Sequence, residues 1–115
     1  VVTSEEFKVV LGKKIRALRK LCGHTQMELA EHLGFTSTGA ISQVESGSKG
    51  LTAENIQKLA ELFEVHASVL FTPMDMDERD LRMMRVLYDR IKNKNKDPQK
   101  RQDYELISRL VASVA

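Results

Sequence analysis

The sequence predicts an all-α fold, with five short helices closing one domain over residues 1–72 and a two-helix hairpin over residues 73–115. Three observations carry this reading. Apolar residues recur at helical spacing along most of the chain, and no stretch alternates polar and apolar side chains long enough to make a strand. Only 2 prolines and 6 glycines interrupt 115 residues. Each break between periodic segments carries a capping residue, a glycine, or both, so local signals and periodicity agree.

The first helix starts near Thr3, which with Glu6 has the spacing of a capping box: the hydroxyl takes an orphan N–H and the carboxylate answers. Phe7, Val10 (or Leu11), Ile15, Leu18 and Cys22 (or Leu21) repeat at helical spacing, and Gly23 ends the run. Thr25 and Glu28 form a second such box. The helix they open carries Met27, Leu29, Ala30 and Leu33 and runs to Gly34. Residues 35–39 read as a turn, with Ser37 as N-cap of a third helix that holds Ala40, Ile41 and Val44 and ends at Gly47. After the loop Ser48-Lys49-Gly50, Thr52 opens a fourth helix with Ile56, Leu59, Ala60, Leu62 and Phe63. A short fifth helix covers Ala67–Phe71.

Thr72-Pro73-Met74-Asp75 is a linker. Asp77 (or Asp75) then caps a sixth helix to about Lys92, with Leu81, Met84, Leu87, Tyr88 and Ile91 on one stripe. Residues 93–97 form a polar turn. Asp97-Pro98 opens a seventh helix, with Asp at N-cap and Pro at the first helical position. Its stripe is Tyr104, Ile107, Leu110, Val111 and Val114. Two helices cannot bury both stripes by themselves, so these residues are expected at an interface. A second copy of the chain is the economical cover, because a two-fold dimer uses one surface twice. Docking on the first helix, or on a different protein, would also cover them.

Composition excludes more than it identifies. Lys and Arg total 18 against 16 Asp and Glu, a formal charge of +2. Residues 1–72 hold 8 of each sign, so the excess lies wholly in the hairpin. Net charge is therefore a poor guide to the partner. No apolar run reaches the roughly 18–20 residues of a membrane span. The lone cysteine, Cys22, cannot form an intramolecular disulfide, which favours a reducing, cytoplasmic setting. It is expected as a small buried hydrophobe. His24, His32 and His66 are scattered without ligand spacing, so neither metal nor cofactor is expected. No nucleophile–base pair, Gly-rich phosphate loop or paired buried carboxylates are visible, and the chain is not expected to be an enzyme.

Function concentrates in residues 24–47. Two short helices joined by a tight turn have the geometry that lays a second helix in a DNA major groove. On that second helix Thr38, Ser42, Gln43 and Ser46 are neutral hydrogen-bonders, while Ile41 and Val44 face inward. Glutamine can bond adenine N6 and N7 together, and Ser or Thr can bond most bases. Gln26 at the preceding helix N-terminus and Lys49 in the following loop suit phosphate oxygens.

These residues resemble the lambdoid phage repressor and Cro family, also called the Xre-type helix-turn-helix family. The resemblance covers residues 11–71. Its blocks are Leu11-Gly12-Lys13-Lys14-Ile15-Arg16-Ala17-Leu18-Arg19-Lys20, Thr25-Gln26-Met27-Glu28-Leu29-Ala30, Ile41-Ser42-Gln43-Val44-Glu45-Ser46-Gly47 and Leu59-Ala60-Glu61-Leu62-Phe63. It implies that Thr38, Gly39, Ser42 and Gln43 meet bases. It also implies that Gln26, Ser37, Ser46, Ser48 and Lys49 meet the backbone, and that Arg19 and Glu45 form a structural ion pair. Three departures stand out. The turn at residues 35–37 is one residue longer than the family norm, Gly39 stands where a side chain is usual, and Leu51 where a proline is common.

The resemblance implies a bacterial or phage transcriptional regulator, a repressor that binds double-stranded DNA as a homodimer on a pseudo-palindromic operator. The alternative is an antitoxin or adaptor whose hairpin holds a partner protein.

Overall fold

The computed structural model describes residues 2–93, 106 and 108–112. Among them are six α-helices and no strand: α1 (Ser4–Cys22), α2 (Gln26–Leu33), α3 (Gly39–Glu45), α4 (Ala53–Phe63), α5 (Ala67–Phe71) and α6 (Glu78–Asn93). Residues 106 and 108–112 are also helical. The turn at residues 94–97, the Asp97-Pro98 cap, and Tyr104, Ile107 and Val114 lie outside the described residues.

Side-chain caps fix most helix starts. Thr25 and Glu28 close a full capping box at α2. At α1 only half of the expected box forms: the Thr3 hydroxyl accepts from the Glu6 N–H at 3.1 Å. The Thr52 hydroxyl caps α4 and the Asp77 carboxylate caps α6, accepting from the N–H groups of Asn55 and Asp80. The third helix departs from expectation. It opens at Gly39, not after Ser37, because Thr38 already has helical angles (φ −76°, ψ −13°) and its carbonyl accepts the Ser42 N–H. No side chain caps this end. Ser37 is left exposed in the turn.

The core collects the apolar stripes of all six helices. Ile15, Leu18, Leu29, Ile41, Leu59, Phe63 and Leu70 are fully buried. Leu81 of α6 joins them with no exposed surface, and Met76 and Met84 pack against the same cluster. The α6 helix is tied down further by Arg85, whose Nε donates to the Phe63 carbonyl at 3.0 Å. For Leu81 alone this corrects the expected place at a dimer interface. Leu81 is spent inside its own chain, and Met84 is half-covered there. Leu87, Tyr88 and Ile91 are half-buried, whereas Leu110 and Val111 are exposed.

Two α1 residues shape the packing. Gly12 sits where α1 meets α3: a methyl group there would stand 2.3 Å from the Val44 carbonyl oxygen and 2.8 Å from that of Glu45. Only hydrogen fits. Lys14 is 1% exposed. Its ammonium donates to the carbonyls of Val69 (2.9 Å) and Thr72 (2.8 Å), closing the end of α5 against α1. Burial pushes its pKa from 10.5 down to about 8, and the negative Asp75 pulls it partly back.

Candidate nucleic-acid interface

The amphipathic split of α3 builds the candidate surface. Ile41 and Val44 are 0% and 1% exposed. Gly39, Ser42 and Gln43 lie on the outer side and are exposed, and Thr38 is half-buried at the helix mouth. Burying the inner pair fixes which residues face out, since neighbouring positions are about 100° apart around a helix.

A single carboxylate holds α3 in place. Glu45 Oε2 accepts from Arg19 Nε at 2.7 Å, and its Oε1 accepts from Arg19 Nη2 at 3.1 Å. The same Oε1 accepts from Gln26 Nε2 at 3.2 Å. Arg19 Nη1 also donates to the His24 carbonyl at 3.2 Å. One buried charge thus ties α1, the start of α2 and the end of α3 together. The fork geometry of guanidinium on carboxylate makes this bond directional as well as strong. Gln26 spends one amide hydrogen here and keeps the second, so it can brace α3 and still donate outward.

The loop after α3 is wound tightly. Gly47 has φ +84°, and a Cβ there would lie 3.0 Å from the Val9 Cα, so a glycine is needed on both counts. The Gln43 carbonyl gathers this turn. It accepts from the N–H groups of Ser48 (3.0 Å) and Lys49 (3.2 Å) and from the Ser46 hydroxyl (2.9 Å). The Ser48 hydroxyl stands 3.1 Å from that oxygen and 3.1 Å from Ser46 Oγ. Each hydroxyl has one hydrogen. In this structure both are engaged in closing the helix end, so a phosphate contact from either would require release from that cap.

Lys49 is exposed, and its ammonium lies 5.9 Å from the centre of the Phe35 ring. The cation is held over the turn that precedes α3. At Gly39 the fold makes no demand for glycine: an added Cβ would meet only Ser37 Oγ, at 3.6 Å. A bare backbone at this exposed position permits close approach by a ligand.

Elsewhere the histidines serve local structure. His24 Nδ1 is 3.1 Å from Glu28 Oε2, and the bond from this ring is the main reason the Glu28 carboxyl lies below its ordinary pKa. His32 Nε2 meets the Lys58 carbonyl at 3.1 Å. The His66 ring caps α5. Cys22 is partly buried with Sγ 3.8 Å from the Phe63 carbonyl, and burial raises its pKa.

Sequence reasoning passed over Gly12 and Lys14. A signal existed for both. Glycine inside a periodic helix costs about 1 kcal/mol relative to alanine and marks a close approach. Lys14 shares its helical face with Leu11 and Leu18, three residues before it and four after.

The sequence of this region is similar to that of known proteins. A helix-turn-helix family model matches residues 15–70. Over 64 residues, 56% of this chain, the sequence is 36% identical to an uncharacterized HTH-type transcriptional regulator of Bacillus subtilis (strain 168), YazB, and the match covers 91% of that protein. Over 61 residues, 53% of this chain, it is 36% identical to the competence pilus inhibition repressor of Acinetobacter baylyi. The match spans 54% of that repressor.

Proposed function

Because the chain belongs to the Xre-type helix-turn-helix family and is a DNA-binding regulator, we propose that it is a sequence-specific repressor that acts as a homodimer on a two-fold operator. The observation that carries the reading is the outer face of α3. Its exposed hydrogen-bonders, Ser42 and Gln43, stand opposite the buried Ile41 and Val44, and Glu45 fixes the helix end to α1 and α2.

In this reading α3 enters the major groove and Gln43 bonds a base edge through both its amide hydrogen and its carbonyl oxygen. Thr38 and Ser42 read neighbouring edges, and the bare backbone at Gly39 lets the helix start come close. Gln26, through its second amide hydrogen, and Lys49 take phosphates and set the register. Bound protein then blocks access to the DNA. The Acinetobacter relative is a competence pilus inhibition repressor, which supports this sign of regulation.

A dimer would place two α3 helices one helical turn of DNA apart, roughly 34 Å. Exposed Leu106 and Val111, together with Met83 and Val86 on the outer side of α6, supply apolar surface for it. Chemical-shift mapping of the full chain on a bound duplex tests the DNA reading. Shifts should concentrate at α3, the start of α2 and residues 46–49; shifts absent there would refute it. Sedimentation equilibrium of the full chain tests the dimer, which a Leu106→Lys, Val111→Lys variant should split.

A further inference from the structure

A second, charged surface, apart from α3, lies between α1 and α6. Lys13, Arg16 and Lys20 form an exposed row along α1, and Glu78 and Arg82 of α6 make the opposite wall. Ala17 and Leu21 form an apolar floor. The groove encloses about 620 Å³ and is open along one side.

The row is electrostatically costly. Lys13, Arg16 and Lys20 are spaced three and four residues apart, where like charges on a helix repel. Among the described residues, none of the three side chains is paired with a carboxylate or engaged in a hydrogen bond. Lys8, Arg19, Lys58, Arg82 and Arg85 each have one. An arriving anion would relieve that repulsion.

Helix geometry turns the floor away from the DNA-facing α3, although Arg16 itself is only about 40° from Gly12 around α1. Gly12 and Arg19 mark the side of α1 that meets α3. Ala17 is five residues from Gly12, about 140° around the helix, and Leu21 is about 160° from Arg19. The floor therefore faces away from α3. Shape argues against a small ligand, because sites for small molecules bury about 70–90% of what they hold, and this groove is open. A segment of polypeptide needs only one face covered.

We propose that this groove docks an acidic, amphipathic segment of a partner protein, with carboxylates on the Lys13–Arg16–Lys20 row and an apolar side chain on the Ala17–Leu21 floor. Arg82 holds Glu78, so the one carboxylate in the groove wall is already neutralised. The surface stays open while α3 is in DNA, so the regulator can hold DNA and partner at once.

The test uses the full chain and a fluorescein-labelled peptide of repeated Glu-Leu-Glu-Glu units, with Gln replacing Glu in the reference peptide. Saturable binding by anisotropy is expected for the acidic peptide alone, with chemical-shift changes at Arg16, Ala17, Lys20, Leu21 and Arg82. A Lys13→Glu, Arg16→Glu, Lys20→Glu variant should bind at least about tenfold more weakly, as loss of three exposed pairs implies. The Lys13→Gln, Arg16→Gln, Lys20→Gln variant gives the same readout without added repulsion. The salt slope of duplex binding, which counts phosphate contacts, should not change in either. The proposal is overturned if the acidic peptide fails to bind, if the reference peptide binds equally, or if pyrophosphate displaces it stoichiometrically. It also fails if the variants lower the duplex salt slope, which would assign the row to DNA, or if they abolish self-association, which would assign it to a second copy.

Discussion

Gly12 and Val44 touch through backbone: a methyl group on Gly12 would lie 2.3 Å from the Val44 carbonyl oxygen. No side-chain motion can make room, because the obstacle is the α3 main chain. Gly12→Ala would raise helix propensity by about 1 kcal/mol in an open position. Here it should instead lower stability by about 2 kcal/mol or more, the scale of overpacking. Urea unfolding of the two proteins measures it. A more stable alanine variant would show that α1 and α3 are not this close.

Arg19 should behave as a structural residue first. Removing it leaves a 5%-exposed Glu45 side chain with only the Gln26 amide. Arg19→Ala is expected to cost about 3 kcal/mol, because an uncompensated buried charge is worse than no pair at all. The Arg19→Met, Glu45→Leu double variant should recover part of that loss in thermal unfolding. A double variant no better than Arg19→Ala would contradict the account.

Gln43 and Lys49 should fail differently. Gln43→Ala should lose about 1–3 kcal/mol of discrimination at one base pair and little affinity for random duplex. Lys49→Ala should weaken all sequences alike and reduce the salt slope by about 1. Anisotropy titrations on specific and random duplexes separate the two. Equal losses on both duplexes for Gln43→Ala would remove its reading role.

Lys14 gives a pH signature. Its pKa is about 8 in the folded chain against 10.5 for a free lysine, so between those values the unfolded chain holds more protons. Stability must then rise with pH across that window. Below pH 8 the full cost of burying the charge is present; it fades as pH rises through the window and is gone only above 10.5. The stability of the native chain minus that of Lys14→Met should grow by ~2–3 kcal/mol between pH 7 and 10.5. Denaturant unfolding at stepped pH values checks it, and a flat difference would show that Lys14 is not desolvated.

Much of the fold was legible because local chemistry fixes it. Thr25 with Glu28, Thr52 and Asp77 each cap a helix by a bond that the residue types alone suggest. The start of α3 was not legible, because Thr38 enters the helix by its backbone and no side chain marks the spot. The fate of α6 was open for another reason. Periodicity shows that Leu81 lies on an apolar stripe, but not whether that stripe meets its own chain or another. That the Ser46 and Ser48 hydroxyls also close the helix end on the Gln43 carbonyl is not visible in their residue types. A buried lysine is rare enough that Lys14 reads as surface, although its neighbours on the helix face are core.

The proposed function stands on the outer face of α3 reading a particular DNA sequence. Selection of bound duplexes from a random pool, run in parallel with the native chain and Gln43→Ala, tests it most directly. The native chain is expected to enrich a motif with two inverted halves, and Gln43→Ala the same motif blurred at one position per half. A pool that stays random after selection with the native chain, or an identical motif from both proteins, would contradict it.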